Sequence, residues 1–389
     1  MSLSFRDRPP VSRLLFGAIA APAAIFAPKC LAQTEVRLEA DANVLYSDNP
    51  FLSTEKNTDT AAAEIVARPE VEVQLGPGTT IEVGGRAGFR QYSRRYGNFV
   101  TGRGDATFRH RDSEYLTLMT NIGYSRELAA DVLTDSIDAA VDTRQIREAY
   151  GARTSVEYNP NARWQFVTDG GWQKTRYPGS TLLQATNAYD VGLTASRRVS
   201  ELMTVGLRGE FTSSRIANGG KTEAKSIGVT VARRLNANWR ADATAGIEWA
   251  SLGGLPGIPN NNQNDRSRFS GSVNLCYDPR RMTLCLTGAI RSEVSGLGGL
   301  QRETAVGATL AVPTSTRGRV TASADYRRAQ LPGFGDTDVL RGSAAYEHRV
   351  TETLSVRAGA DYLQRTRADG DRVGAVVLQI GVTYRGRDR

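Results

Sequence analysis

Val36-Arg37-Leu38-Glu39-Ala40-Asp41-Ala42-Asn43-Val44-Leu45-Tyr46 is the stretch that decides the fold. Val36, Leu38, Ala40, Ala42, Val44 and Tyr46 fall on one side of an extended chain, and Arg37, Glu39, Asp41 and Asn43 on the other. Successive side chains of a strand point to opposite faces, so this is a β-strand with one apolar and one charged face. The next segment repeats the pattern, setting Ile65, Ala67, Val71, Val73 and Leu75 against Glu64, Arg68, Glu70, Glu72 and Gln74. It turns at Gly76-Pro77-Gly78 into Ile81, Val83, Ala87 and Phe89, opposed by Glu82, Arg86 and Arg90. Pro69 falls on the apolar face without an N–H to donate, which predicts a bulge or irregularity in that strand.

The alternation continues to the end of the chain. Tight turns recur near Arg111-Asp112-Ser113, Asn159-Pro160-Asn161, Ser200-Glu201, Asn236-Ala237-Asn238, Asp278-Pro279-Arg280, Ser315-Thr316-Arg317 and Val350-Thr351. Most contain the residues that short hairpin connections need. Between them lie longer polar segments at 47–60, 93–98, 126–145, 177–187, 213–222, 251–265, 293–301, 328–337 and 365–372. Short turns alternating with long loops, over about 18 strands, describe an all-β, closed, antiparallel up-and-down transmembrane β-barrel with both termini in the periplasm. The aromatic residues mark the same geometry. Phe108, Tyr158, Trp164, Trp239, Tyr277, Tyr346 and Tyr384 share the apolar phase near the short turns. Tyr46, Phe89, Tyr124, Trp172, Tyr189, Phe211, Trp249, Phe269, Tyr326 and Tyr362 share it near the long loops. Two girdles at opposite strand ends are what headgroup depth selects.

Composition closes off other classes. After Gln33 no run approaches the ~20 apolar residues of a spanning helix. The mean hydropathy of −0.37 is compatible with a membrane barrel, because only alternate residues meet lipid. The net charge of +8 comes from arginines scattered among acids rather than gathered in a patch, which argues against a nucleic-acid partner. Residues 1–32 read as a secretory signal peptide, with Arg6, Arg8 and Arg13 before the apolar run 14–27 and a small-residue site at Cys30-Leu31-Ala32. Ala27, Pro28 and Lys29 do not form a lipoprotein-like lead-in to Cys30. Residues 33–389 are then a single barrel domain, with no large plug domain ahead of the strands.

Cys276 and Cys285 flank the Asp278-Pro279-Arg280-Arg281 turn symmetrically. Placed opposite one another they would oppose Tyr277 to Leu284 and Leu275 to Leu286, bring their Cα atoms within disulfide reach, and staple the hairpin from the lumen side. The charged phase supplies the lumen-lining candidates: Arg37, Glu39, Asp41, Arg68, Glu70, Arg86, Arg90, Arg103, Asp105, Arg208, Glu210, Arg240, Asp242, Arg357 and Asp361. Interleaved signs allow either a wet lumen that rejects little on charge or a rigid ladder that narrows it. No catalytic, cofactor or metal site is expected. His110 and His348 lie beside periplasmic turns without a Gly-x-Ser-x-Gly elbow or an obvious acid partner, and Asp131, Asp135 and Asp138 read as solvated loop carboxylates, with weak Ca²⁺ binding as their alternative.

The segment Tyr46-Ser47-Asp48-Asn49-Pro50-Phe51-Leu52, directly after the first strand, resembles the opening motif of a beta-barrel porin family of alphaproteobacteria and relatives. Arg176-Tyr177-Pro178-Gly179-Ser180, ahead of Asn187-Ala188-Tyr189, is similar as well. The resemblance implies an outer-membrane barrel often encoded among surface-polysaccharide genes, hence an envelope or export role, and carries no catalytic residues. The last strand departs from common barrels, since Arg385 to Arg389 follow Val382 and Tyr384 where a terminal aromatic usually serves the barrel assembly machinery. The expectation is a passive porin-like channel of the Gram-negative outer membrane, in contact with its lipid, for saccharide passage or exopolysaccharide export. The loop 126–145 is the expected constriction. The alternatives are an outer-membrane enzyme acting on lipid or polysaccharide, and a structural or adhesive barrel with a closed lumen.

Overall fold

The computed structural model describes residues 33–217, 220–251, 266–279, 281–297, 299–331, 335–366 and 370–387. The expected signal peptide and most of the expected loop 251–265 lie outside them. The strands are β1 (Gln33–Ser47), β2 (Thr60–Gly76), β3 (Thr79–Tyr92), β4 (Asn98–Arg111), β5 (Leu116–Leu128), β6 (Ile146–Asn161), β7 (Trp164–Arg176), β8 (Thr186–Ser200) and β9 (Met203–Ile216). They continue as β10 (Lys221–Arg234), β11 (Trp239–Ser251), β12 (Arg266–Tyr277), β13 (Thr283–Ser295), β14 (Gly299–Pro313), β15 (Gly318–Leu331), β16 (Gly335–Arg349), β17 (Leu354–Thr366) and β18 (Arg372–Arg387). Each strand pairs antiparallel with its sequence neighbours, and β1 pairs with β18 from Arg37↔Arg387 to Ser47↔Val377. The sheet therefore has no free edge, which a wall immersed in hydrocarbon requires.

Alternation decides which way each strand faces. Val44, Tyr46, Ile65, Phe89, Val100, Ile122, Leu193, Leu207, Phe269 and Ile380 stand exposed on the outer wall. Core burial therefore does not hold this sheet together; closure of the backbone ladder and an apolar belt suited to lipid do. Girdle rings touch one another across and along strands: Trp239 of β11 and Tyr277 of β12 are 4.8 Å apart near the periplasmic end, and Trp164 stacks on Phe166 of the same strand at 5.9 Å.

Two expectations are met only in part. Pro69 does interrupt the ladder, since β2–β3 pairing skips Arg68 and Pro69, but there is no bulge: Pro69 pairs in register with Leu38 of β1, and β2–β3 resumes in the same register at Glu70↔Gly84. The β2–β3 register shift lies instead at Gln74/Gly76, beside the turn. The connections on the extracellular side are also less uniformly long than expected. β9 runs to Ile216 with β10 beginning at Lys221, and β13 runs to Ser295 with β14 beginning at Gly299, because these strands continue past the girdle as hairpins above the membrane.

Candidate functional site

The interior of the extracellular half is filled by its own loops. The segment between β5 and β6 forms two short 3-10 turns, Ala129–Val132 and Ile137–Ala140, and crosses the lumen. Leu52, Ala129, Val132, Leu133, Ala139 and Ala140 pack with Val339, Leu363, Val373 and Ala375 of β16, β17 and β18 on the far wall. A second cluster joins Phe51, Ala62, Tyr92 and Leu128, with Tyr96 and Phe99 against it. These two clusters hold most of the largest buried apolar side chains among the described residues, and they form a plug instead of a conventional core.

Polar contacts fix the plug to the wall. Arg90 bridges Glu64 and Asp131, both at 2.9 Å, and Arg341 donates to the Asp131 carbonyl at 3.3 Å. Arg365 donates to the carbonyls of Ala140 at 2.8 Å and Leu52 at 2.9 Å. Thr143 donates its hydroxyl to the Phe51 carbonyl. Asp138 is the hub. Its carboxylate, 3% exposed, accepts the Tyr177 hydroxyl, the Ser295 hydroxyl and the Gly296 N–H, tying three connections together. Only glycine fits at position 296, where a Cβ would stand 2.7 Å from the Gln184 carbonyl and 3.0 Å from the Tyr177 ring. Burial pushes the Asp138 carboxyl above its ordinary range, and burial beside that carboxylate raises the Tyr177 phenol too. Asp138 is therefore no solvated loop residue, and among the described residues no cluster of His, Cys, Asp and Glu with metal-ligand geometry occurs.

Both short motifs of the sequence converge on this plug. In the first, Asp48 accepts the Val376 N–H at 2.8 Å, Asn49 exchanges side-chain hydrogen bonds with the Ser53 backbone at 2.9 Å, and Phe51 and Leu52 are each 1% exposed. Leu52 sits in the left-handed region (φ 49°), an unfavourable conformation for a non-glycine residue that the surrounding contacts hold in place. In the second motif, Gly179 (φ 82°) turns the chain so that Tyr177 reaches Asp138. Sequence reasoning noted both motifs and the loop, yet missed Asp138, Tyr177, Ser295 and Arg365 as its anchors, since no periodicity marks contacts between separate loops.

Below the plug a cavity of about 360 Å³ is lined by one continuous arc of wall, from β15 to β18 and on through β1 to β3, with Pro50, Ala130 and Asp131 of the plug against it. Most of the wall charges are consumed by one another. Arg37 pairs with Glu35 and Glu70, Arg68 with Glu39 and Asp41, Arg341 with Asp361, and Arg385 with Glu39 and Glu347. Farther round, Arg208 pairs with Asp169 and Glu210, and Arg240 and Asp242 approach to 3.6 Å. Such half-exposed pairs contribute little stability each. Outside these pairs stand Arg86, Arg109, Glu157, Arg319, Asp325 and Arg357, which make no ion pair among the described residues. Arg86 is directly opposite Arg103 and beside Arg68, and Arg357 stands farther along the same arc on β17. Arg103 has only Asp105, at 3.7 Å.

Cys276 and Cys285 are paired in register with a Cα separation of 4.1 Å and are joined as a disulfide near the periplasmic end. Tyr277 faces Leu284 and Leu275 faces Leu286. His110 and His348 stack on Phe108 and Tyr346 in the periplasmic girdle, away from the lumen carboxylates.

The fold is that of an outer-membrane β-barrel of porin size. The outer membrane protein opdK of Pseudomonas aeruginosa is similar at 9% identity and a TM-score of 0.49, over 92% of this chain and 99% of that one. OccK2 (OpdF) of the same organism, in complex with glucuronate, aligns at 9% identity and a TM-score of 0.50 over 91% and 98% of the two chains. OccK5 (OpdH), also from Pseudomonas aeruginosa, gives 8% identity and 0.50 over 92% and 99%. At such identities the likeness is one of fold. No family model and no curated protein matches the chain.

Proposed function

We propose that the chain is a passive channel of the Gram-negative outer membrane for small polar solutes, and that it favours anions. The observation that carries the reading is the row Arg68, Arg86 and Arg103 on three adjacent strands, the first two at the wall of a cavity beneath an inward-folded plug and the third lining the next hollow along the wall. Like charges facing each other across a sheet cost stability. Their retention in a lumen whose other charges are mostly paired leaves a positive potential on the solute path. Arg86 of β3 and Arg357 of β17 supply it from the two flanks of one arc of wall.

Saccharide passage is the uncharged form of the same reading, and the cavity suits a solute of sugar size. Export of exopolysaccharide, the role that the family resemblance implies, requires the plug to leave the lumen, because a polymer has no path past the Leu133 and Phe51 clusters as they stand. The two histidines offer no support to an enzymatic alternative, since they face the girdle. The test is a planar-bilayer recording under a potassium chloride gradient. The expected reversal potential is that of a chloride-preferring pore, reduced in R86Q and further reduced in R86Q/R357Q. A cation-preferring wild type removes the charge preference, and absence of any conductance removes the channel. Liposome swelling over a sugar size series then sets the cutoff, expected near the smallest sugars.

A further inference from the structure

Lysine occurs five times in the chain, at positions 29, 56, 174, 221 and 225, whereas the cations of the lumen wall described above are all arginine. Three of those lysines stand on the outer wall, at the extracellular ends of β7 and β10. Lys174 shares its face with Trp172, and Lys221 and Lys225 share theirs with the exposed Ile227 and Val229. The register places them in a row: Lys174 is paired with Asn187, Asn187 with Arg215, and Arg215 with Lys221. One lipid-facing position closer to the membrane Trp172 is paired with Tyr189, and one position below that Lys225 lies between Phe211 and Trp249. The cations thus stand at and just outside the extracellular girdle, at the depth of headgroup phosphates.

The sector has more charge than it neutralises. Arg126, Lys174, Arg176, Arg215, Lys221 and Lys225 share it with two acids, Glu148 held by Arg126 and Glu223 held by Lys221. Arg176 lies over the Tyr150 ring at 5.9 Å. Lys174, Arg215 and Lys225 make no ion pair among the described residues, although Arg215 directly faces Lys221. Opposed like charges are a cost unless an anion lies between them. The rim at β15 and β16 differs, since Arg328 there is matched by Asp336 and Asp338.

We propose that the row Lys174, Asn187, Arg215 and Lys221 binds the phosphates of an outer-leaflet lipid, a phosphorylated glycolipid, at one sector of the wall. Lysine is a compact, mobile charge that meets a tetrahedral phosphate without needing the planar fork geometry of arginine. Three strand steps span about 14 Å, enough to engage more than one phosphate. The acyl chains of the same lipid would lie on the Trp172, Tyr189 and Phe211 belt below. The proposal is independent of whether the lumen conducts.

The test is native mass spectrometry of the detergent-solubilised full-length protein, counting retained lipid A bearing two phosphates against the dephosphorylated lipid. Wild type is expected to retain the phosphorylated form at least about tenfold better, and the preference to fall at high salt. K174Q/R215Q/K221Q, checked for folding by heat-modifiable gel mobility, is expected to lose that preference, and R328Q to keep it. Equal retention of both lipids by wild type, a preference insensitive to salt, or an unchanged preference in the folded triple variant would overturn the proposal. Displacement by inorganic phosphate at the lipid's own concentration would also overturn it, by showing a site for free phosphate and not for lipid.

Discussion

The periplasmic and extracellular halves of this barrel are stabilised by different means. Near the short turns the wall is a single layer, apolar outside and charged inside, tied by the backbone ladder and a hairpin disulfide. Near the loops the same wall encloses a packed interior with buried leucines, a phenylalanine and a carboxylate without a salt-bridge partner among the described residues. The first half is a tube by default, whereas the second becomes one only if the plug yields. Conductance should therefore respond to the loops far more than to the wall.

Removing residues 129–143 breaks the comparison outright. The plug loses both 3-10 turns and the Asp138 hub, while β5 and β6 keep their register from Leu116↔Tyr158 to Leu128↔Ile146. Single-channel conductance should rise several-fold with heat-modifiable mobility retained; an unchanged value would mean that another segment limits the current. Next in size is Leu133→Asp, which places a charge in the cluster with Val339 and Leu363. Burial of an unpaired charge costs several kcal/mol, so the plug should detach, raising conductance and protease cleavage between β5 and β6 with the barrel intact. Replacing both Cys276 and Cys285 by serine acts on the other half. The closed loop is short and the hairpin is already held by β11 and β14, so the loss should stay at or below about 2 kcal/mol. It would be read as a small drop in the urea midpoint with conductance unchanged.

The two halves were not equally legible in the sequence. Val36 to Tyr46 declares strand, orientation and membrane face together, because period two reports a one-sided environment at every residue. Closure and strand number followed from counting such segments. The plug carries no such signal. Ala129, Val132 and Leu133 are apolar for reasons that appear only once β16 to β18 stand across from them, about two hundred residues away in sequence. Asp138 reads as an ordinary loop carboxylate until Tyr177 and Ser295 arrive from two other connections. The lumen charges fall between these cases: their facing was evident from parity, but not that pairing would leave Arg86 over.

The smallest expected effect is on the pH dependence of the plug. In the closed mouth Asp138 is surrounded by Tyr177, whose phenol stays protonated, by Ser295 and the Gly296 N–H, and more remotely by Arg147, itself 3.6 Å from Glu127. Burial outweighs those hydrogen bonds, so the carboxyl is raised relative to its state in an open, hydrated mouth. A group raised in the closed form favours closure while protonated, and that contribution is lost as pH rises through the raised value. Lowering the pH through the titration of that carboxyl should therefore lengthen closed dwell times, and raising it should shorten them, with little change in open-state conductance. D138N, neutral throughout, should flatten the response over this range in bilayer recordings. A wild type that opens on acidification, or a D138N channel that keeps the wild-type slope, would show that the plug is set by its apolar clusters alone and that the hub carries no control.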